Sequence, residues 1–289
     1  MHTLSVVIIT FNEEKKIGQC LDSVKDIADE IIVVDSNSTD ATEEICQKYN
    51  VKFVTQKWLG YSEQKNLADN LATCGLIFSI DADEALSDEL KQSIKTLKES
   101  EIADNEVFSM NRLNNFWGRW IKRCGYYPEN KVRIWRRGFA QWEGLIHEWL
   151  KYESEPKKTL LHGDLLHYSY DSPEAFKKQL FHFAELNAQS YYDRNKKTGT
   201  IYWIFSPAIN FIRTYFIKGG ILEGKTGFYI CWTAMKATRH KYDLLREKVK
   251  SRKCDSGKCD SGKCDSGKWR VDALRLCEEE RRSKLDKKC

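Results

Sequence analysis

What most constrains this chain is a rhythm in its first third, where short β-branched runs alternate with stretches of helical spacing. Leu4-Ser5-Val6-Val7-Ile8-Ile9-Thr10 is of the kind buried on both faces of a parallel sheet. Phe11-Asn12-Glu13-Glu14 ends it, and Ile17, Leu21 and Val24 then recur at helical spacing. Glu30-Ile31-Ile32-Val33-Val34-Asp35 repeats the pattern, and the polar turn Ser36-Asn37-Ser38-Thr39-Asp40 can cap a helix over 41–48. A shorter strand at 51–54, a helix near 62–73 and an apolar strand from Leu76 that ends in the acidic cluster Asp81-Ala82-Asp83-Glu84 complete the series. Strands and helices alternating at this pitch predict an α/β fold with a doubly wound, mostly parallel sheet.

In such a sheet the carboxyl ends of the strands lie side by side and form the default ligand crevice. Here those ends carry Thr10, Asn12 and Glu13, then Asp35, then Asp81-Ala82-Asp83-Glu84. Two carboxylates at i and i+2, where the chain leaves the sheet, can aim around one hard cation, and Mg²⁺ or Mn²⁺ suits such oxygen donors. The same cluster also reads as a plain acidic turn, with Ser87 as N-cap and Asp88 and Glu89 facing the helix dipole. No G-x-G-x-x-G follows the first strand and no G-x-x-x-x-G-K-[ST] occurs, which excludes the dinucleotide fingerprint and the P-loop. A nucleotide bound here would be held by carboxylates and a metal.

The net charge of +5 is small against 47 basic and 42 acidic residues, so the overall balance makes no case for a nucleic-acid partner. Of ten cysteines, five are scattered and five crowd into the last stretch, with no C-x₂-C pairing; reduced thiols in a cytoplasmic protein are expected. Met1-His2-Thr3 lacks the basic lead of a signal peptide, and no run reaches the roughly 18 apolar residues of a transmembrane helix.

Taken in order, Val6-Val7-Ile8-Ile9-Thr10-Phe11-Asn12-Glu13-Glu14, Ile32-Val33-Val34-Asp35-Ser36-Asn37-Ser38-Thr39-Asp40, Gly60-Tyr61-Ser62-Glu63-Gln64-Lys65-Asn66 and Asp81-Ala82-Asp83-Glu84 resemble the signature of family 2 glycosyltransferases. These are inverting enzymes of the GT-A fold. The resemblance implies roles position by position. Thr10, Asn12 and Glu13 would line the nucleotide pocket, and Asp35 would accept hydrogen bonds from the base edge. Lys65 would set its ammonium near the diphosphate, Asp81 would face the ribose or the metal, and Asp83 would ligate the metal. Each also has a local reading: Asp35 as a turn former, Asn12 and Ser38 as caps, Lys65 as a solvated helix charge.

Beyond a helix at 90–98 and a strand at 107–110, Phe116-Trp117-Gly118-Arg119-Trp120-Ile121-Lys122-Arg123 with Tyr126, Tyr127 and Pro128 is aromatic and basic. It suits stacking on a sugar acceptor, and equally a flap that covers a core. Lys131-Val132-Arg133-Ile134-Trp135-Arg136-Arg137-Gly138 and Trp142-Glu143-Gly144-Leu145-Ile146-His147-Glu148 resemble segments of a bacterial subgroup containing lipopolysaccharide-core β-1,4-glucosyltransferases. The wider family often carries a Glu-Asp pair at its acceptor site; His147-Glu148 stands in the comparable place. An inverting transfer needs a base for the acceptor hydroxyl. Glu148 is the first candidate and Glu143 the second, with His147 orienting the carboxylate or binding pyrophosphate. His162 and His167, without matched ligand spacing, read as packing or acceptor-side residues.

After Ser172-Pro173 the chain turns helical. Residues 200–218 are its most apolar segment, too interrupted to span a bilayer, rich in aromatics and flanked by Lys196, Lys197, Lys218 and Lys225. A monotopic helix on an anionic membrane fits, as does a helix buried against the catalytic domain. A further helix is expected over 227–250, and three identical Lys-Cys-Asp-Ser-Gly units starting at Lys253 read as a flexible linker. The expected organisation is a GT-A domain at 1–170, a helical, membrane-associating extension at 171–250 and a disordered tail at 251–289. The expected function is metal-dependent inverting transfer of a hexose from a nucleotide sugar, UDP-glucose or similar. The expected acceptor is a lipid-linked glycan such as a lipopolysaccharide core, met by a peripheral protein on the inner face of the cytoplasmic membrane. The alternatives are transfer to a polyprenyl phosphate and a non-catalytic glycan-binding membrane-surface protein.

Overall fold

The opening rhythm becomes β1 (Leu4–Thr10), α1 (Ile17–Val24), β2 (Glu30–Asp35), α2 (Thr42–Cys46), β3 (Lys52–Thr55), α3 (Tyr61–Leu71) and β4 (Leu76–Asp81). The computed structural model describes residues 1–144, 148–196 and 199–255. β1 pairs in parallel with β2 on one side and β4 on the other, and β2 pairs in parallel with β3. This register sets Thr10 beside Asp35 and Ile9 beside Asp81, so the polar strand ends arrive together at one edge. Alternate side chains bury opposite faces, as a period of two requires. Val6, Ile8, Val33, Phe78 and Ile80 pack with Leu21 of α1, while Val7, Ile32, Val34 and Ile77 pack with Ala68 of α3.

β5 (Glu84–Leu86) and α4 (Asp88–Glu99) follow, then β6 (Glu106–Phe116), β7 (Arg119–Ile121), β8 (Glu129–Arg136), β9 (Ala140–Glu143), β10 (Trp149–Tyr152) and β11 (Lys157–Tyr170). Across the sheet the order is β3-β2-β1-β4-β8-β6-β11-β5. β8 lies antiparallel to both β4 and β6, so the parallel strands continue into antiparallel ones at β4. β5 runs antiparallel to β11, which sets His167 opposite Glu84. Gly163, at φ +100, lets β11 pass the first turn of α4, where a Cβ would come within 2.3 Å of the Leu90 nitrogen. Ser87 caps α4 by accepting the Leu90 N–H at 3.2 Å, so the acidic cluster does end in a capped turn. β9 and β10 form a separate antiparallel hairpin with Trp149 opposite Glu143.

The described residues divide into two compact units, 1–115 with 128–169, and 116–127 with the chain from 170 onward. The second unit contains α5 (Pro173–Asp193), α6 (Thr200–Ile212) and α7 (Gly224–Asp255). It has its own core of Phe116, Ile121, Cys124, Phe176, Ile230 and Cys231. The Phe116 ring centroid lies 5.0 Å from Tyr126, 4.8 Å from Tyr170 and 5.4 Å from Phe176. Of the two readings of the aromatic segment, the core-covering one describes Phe116, Trp117 and Tyr126. Among the described residues no helix is long and apolar enough to cross a membrane. Lys197 and the cysteine repeat beyond residue 255 lie outside the described residues.

Candidate active site at the strand ends

At the ends of β1 and β2 two polar turns are stitched together. Asn12 stands at φ 53, a conformation asparagine tolerates better than most residues. Its N–H donates to Ser38 Oγ at 2.8 Å, and its Oδ1 accepts the Thr39 N–H at 2.8 Å. The Glu13 N–H donates to Thr42 Oγ1 at 2.9 Å, and the Glu14 N–H to Asp40 Oδ2 at 3.1 Å. Asp35 accepts the Ser38 N–H at 2.7 Å and the Ser38 hydroxyl at 2.5 Å. Asp35 is thus a turn former, whereas Asn12 and Ser38 cap no helix: the N-caps of α1 and α2 are Lys16 and Ala41, and the Asn12 and Ser38 side chains join the two turns instead. A carboxylate offers about four lone-pair positions, so Asp35 keeps capacity for a further donor. Thr10 Oγ1 is buried with no hydrogen-bond partner among the described residues, an orphan that a ligand would satisfy.

Two of the three carboxylates after β4 are already matched by cations. Lys65 Nζ lies 3.0 Å from Asp81 Oδ1, and Arg133 Nη2 lies 2.7 Å from Asp81 Oδ2. Glu84, 1% exposed, takes the same Arg133 nitrogen at 2.7 and 2.8 Å, and Arg112 approaches it at 3.5 Å. Arg112 in turn holds Glu129 at 2.9 Å, so the charges alternate in sign from Lys65 to Glu129. Burial opposes ionisation of Asp81, but Arg133 and then Lys65 outweigh it and hold the carboxyl well below the usual carboxylate range. Glu129 is pushed down to about 2, its burial likewise outweighed by Arg112 and Lys131. Lys65 is 7% exposed and so is no solvated helix charge.

Asp83 has a different partner. Its Oδ2 faces His167 Nε2 at 3.2 Å. Nδ1 of that ring lies 2.7 Å from both Asn114 Oδ1 and Ser169 Oγ, and the Ser169 hydroxyl donates to the same Asn114 oxygen at 2.9 Å. An amide oxygen only accepts, so Nδ1 carries the proton. A neutral ring held this way turns its Nε2 lone pair toward a carboxylate. Two acceptors then face each other, an arrangement that a second proton or a metal cation resolves. One carboxylate oxygen and one imidazole nitrogen fit Mn²⁺ better than Mg²⁺, which keeps to oxygen donors. Among the described residues no group of three or more His, Cys, Asp or Glu surrounds one point, so the rest of a coordination shell would have to come from phosphate and water. The sequence offered no ligand spacing for His167; antiparallel pairing of β11 with β5 brings it to Asp83.

α3 moors the β9–β10 hairpin to these strand ends. Ser62, Lys65, Asn66 and Asp69 fall at i, i+3, i+4 and i+7 and share one face. The Ser62 hydroxyl donates to the Gly144 carbonyl at 2.6 Å, and Asn66 exchanges two hydrogen bonds with the Trp142 backbone at 2.8 and 2.9 Å. Lys65 Nζ sits 4.5 Å from the Trp142 ring centroid while it holds Asp81. Asp69, buried on this face, is pushed up to about 7 by burial, which the Lys65 charge offsets only in part. The Tyr61 phenol is raised by burial and then by the charges of Glu148, Asp81 and Asp83, each of which lies within electrostatic reach of that phenol. Glu143 instead pairs with Lys151 at 2.8 Å on the hairpin. His147 lies outside the described residues. Tyr61, Asp69, Arg112 and Arg133 join this cluster through their helical or cross-strand neighbours, which no local sequence pattern marks.

Residues 5–145 match the model of glycosyl transferase family 2. An uncharacterized glycosyltransferase of Rickettsia typhi is 32% identical over 235 residues, 76% of this chain and 80% of that protein. A lipopolysaccharide core biosynthesis glycosyltransferase of Rhizobium meliloti is 31% identical over 256 residues, 81% of this chain and 91% of that protein. Among solved structures, the glucosyl-3-phosphoglycerate synthase of Mycobacterium tuberculosis is 23% identical over 39% of this chain and 44% of that one. Its TM-score of 0.32 makes that likeness too partial to bear on the site. The four ordered motifs, the strand-end crevice they build and relatives matched over most of their length agree: this chain belongs to glycosyl transferase family 2, with a GT-A-like α/β fold and C-terminal helices.

Proposed function

We propose that this glycosyltransferase is a metal-dependent inverting hexosyltransferase. It moves a hexose from a nucleotide sugar, UDP-glucose or similar, to a lipid-linked glycan of the cell envelope such as a lipopolysaccharide core. It works as a peripheral protein at the inner face of the cytoplasmic membrane. The observation that carries the reading is the Asp83–His167 pair at 3.2 Å beside an Asp81 whose charge is matched by Lys65 and Arg133.

Asp83 and His167 would hold Mg²⁺ or Mn²⁺, with Asp81 facing the ribose or the ion. When bound, the ion supplies positive charge to the departing diphosphate. Lys65 adds a second, fixed positive charge on that side. Thr10, Asn12, Glu13 and Asp35 line the nucleoside pocket. Glu148 takes the proton from the acceptor hydroxyl as its oxygen attacks the anomeric carbon opposite the leaving diphosphate, which inverts the centre. Glu143, tied to Lys151, is the second candidate for that base. The lipid-linked acceptor draws support from the named role of the Rhizobium relative.

Release of nucleoside diphosphate from a panel of nucleotide sugars, with membrane lipid extract as acceptor, tests this reading. Mn²⁺-dependent release is expected from the wild type, with loss in Asp83→Ala and His167→Ala. Full turnover by Asp83→Ala would sink the metal role, and full transfer by Glu148→Gln would remove Glu148 as the base.

A further inference from the structure

α6 leaves an apolar stripe uncovered. The residues it turns toward α7 are Phe211, edge-on to Phe228 and Trp232, and two with polar groups, Trp203 and Asn210. Trp203 Nε1 donates to Asp243 Oδ1 at 2.5 Å, and the indole lies between the Arg239 and Arg246 guanidinium carbons at 3.5 and 4.2 Å. Asn210 Nδ2 donates to Thr238 Oγ1 at 3.1 Å. The opposite side holds Ile201, Phe205, Ile209 and Ile212, and Phe216 in the wider turn that follows. Their spacing of four, four, three and four residues keeps them on one stripe. They are 70%, 55%, 60%, 51% and 56% exposed. A surface helix normally buries its apolar stripe and hydrates the polar one. A contiguous exposed stripe of this kind marks a surface that another phase or molecule covers.

Charge identifies what covers it. Residues 194–222 contain no acidic side chain, and Arg194, Lys196, Arg213 and Lys218 in that stretch are exposed. Residues 116–127 and 170–255 carry nineteen basic against eight acidic side chains, whereas residues 1–115 and 128–169 carry eighteen against 27. The chain's small net charge thus conceals a strongly cationic helical unit and an acidic catalytic unit. A second copy docked on this stripe would set two cationic surfaces together, which like-charge repulsion disfavours. An anionic lipid surface supplies both an apolar layer for the stripe and phosphates for its cations.

We infer that the outer face of α6 is a membrane-docking surface that sinks Ile201, Phe205, Ile209, Ile212 and Phe216 into the headgroup boundary of an anionic bilayer. The inference deepens the peripheral-membrane part of the proposed function and rests on it for its purpose, but it is measurable without any donor sugar. Flotation of the full chain with phosphatidylglycerol-rich vesicles, against pure phosphatidylcholine vesicles, is the experiment. Binding to the anionic vesicles is expected, weakened by salt, and reduced about tenfold or more in the triple variant Ile201→Ser, Phe205→Ser, Ile209→Ser. Arg213→Gln with Lys218→Gln should lower anionic binding by a further independent route, about fivefold per charge. It carries the test alone if circular dichroism shows the triple variant unfolded. No flotation of the wild type would overturn the inference. So would wild-type flotation by a folded triple variant, unchanged anionic binding by the charge variant, or a wild-type dimer in sedimentation velocity that the serine changes dissolve. Nucleoside diphosphate release, read separately, tells a failure of this surface from a failure of the transferase reading.

Discussion

In the first unit Ile8, Val33, Phe78 and Ile80 disappear into the core, and the charged groups Asp81, Glu84, Lys65 and Arg133 meet at its inner edge as partners. In the second, Trp203 and Asn210 are turned inward while Ile201, Phe205, Ile209 and Ile212 of α6 stand in solvent. The same residue types are thus placed in opposite senses. A buried ion pair rarely adds stability over an apolar replacement, yet losing one partner leaves a costly uncompensated charge. Such a network is retained where the position of a carboxylate matters. An exposed apolar stripe adds no stability either, and is retained where a surface has a use. The first unit spends its unusual groups on geometry, the second on contact.

The contrast breaks most readily at Asp83. Asp83→Ala should lower nucleoside diphosphate release about 100-fold or more while leaving the thermal midpoint nearly unchanged, because it removes the proposed metal ligand and no core contact. A folded variant with normal turnover would show that the strand-end carboxylates are only structural. Arg133→Met should behave in the opposite way, costing about 3–5 kcal/mol in urea denaturation because Asp81 and Glu84 are left facing each other without the cation they share. If its stability matches the wild type, the charge network is not held by Arg133.

Asp69 sharpens the account of the first unit. Its folded pKa is raised to about 7 from an ordinary carboxyl value of 3.8. The stability it contributes is therefore full below about pH 4 and is lost as pH rises toward 7, at about 1.4 kcal/mol per pH unit. Asp69→Asn should flatten that part of the stability profile; an unchanged slope would mean that Asp69 is ionised throughout. The smallest effect belongs to the second unit, where Phe205→Ser should alter thermal stability by about 0.5 kcal/mol or less. A large loss would mean that the face of α6 is packed against protein.

β1 and β2 could be read to the residue because their apolar runs are continuous and their ends are marked by polar turns. β6 extends to Phe116, beyond the strand expected at 107–110, because Arg112 and Asn114 find charged and polar partners across the sheet. α6 was legible as apolar but not as outward-facing, since periodicity gives a stripe and not its direction. That Thr10, Asn12, Asp35, Asp81 and Asp83 gather at one end of the sheet was legible because each stands within a few residues of a strand end. Arg133 was legible only as part of a family-like segment and His167 only as a packing or acceptor-side residue, since their contacts with the acidic cluster are made across the sheet.

Local order is what this sequence determined by itself: where the strands begin, which turns close them, and which family's motifs they carry. Propensity, capping and alternation act over a few residues, so they are written where they act. Only the tertiary structure decided which carboxylate is matched by cations and which faces an imidazole. Arg133 reaches Asp81 across 52 positions of chain, and His167 reaches Asp83 through the pairing of β11 with β5. Electrostatic partnership depends on distance in space, and the fold alone sets that distance.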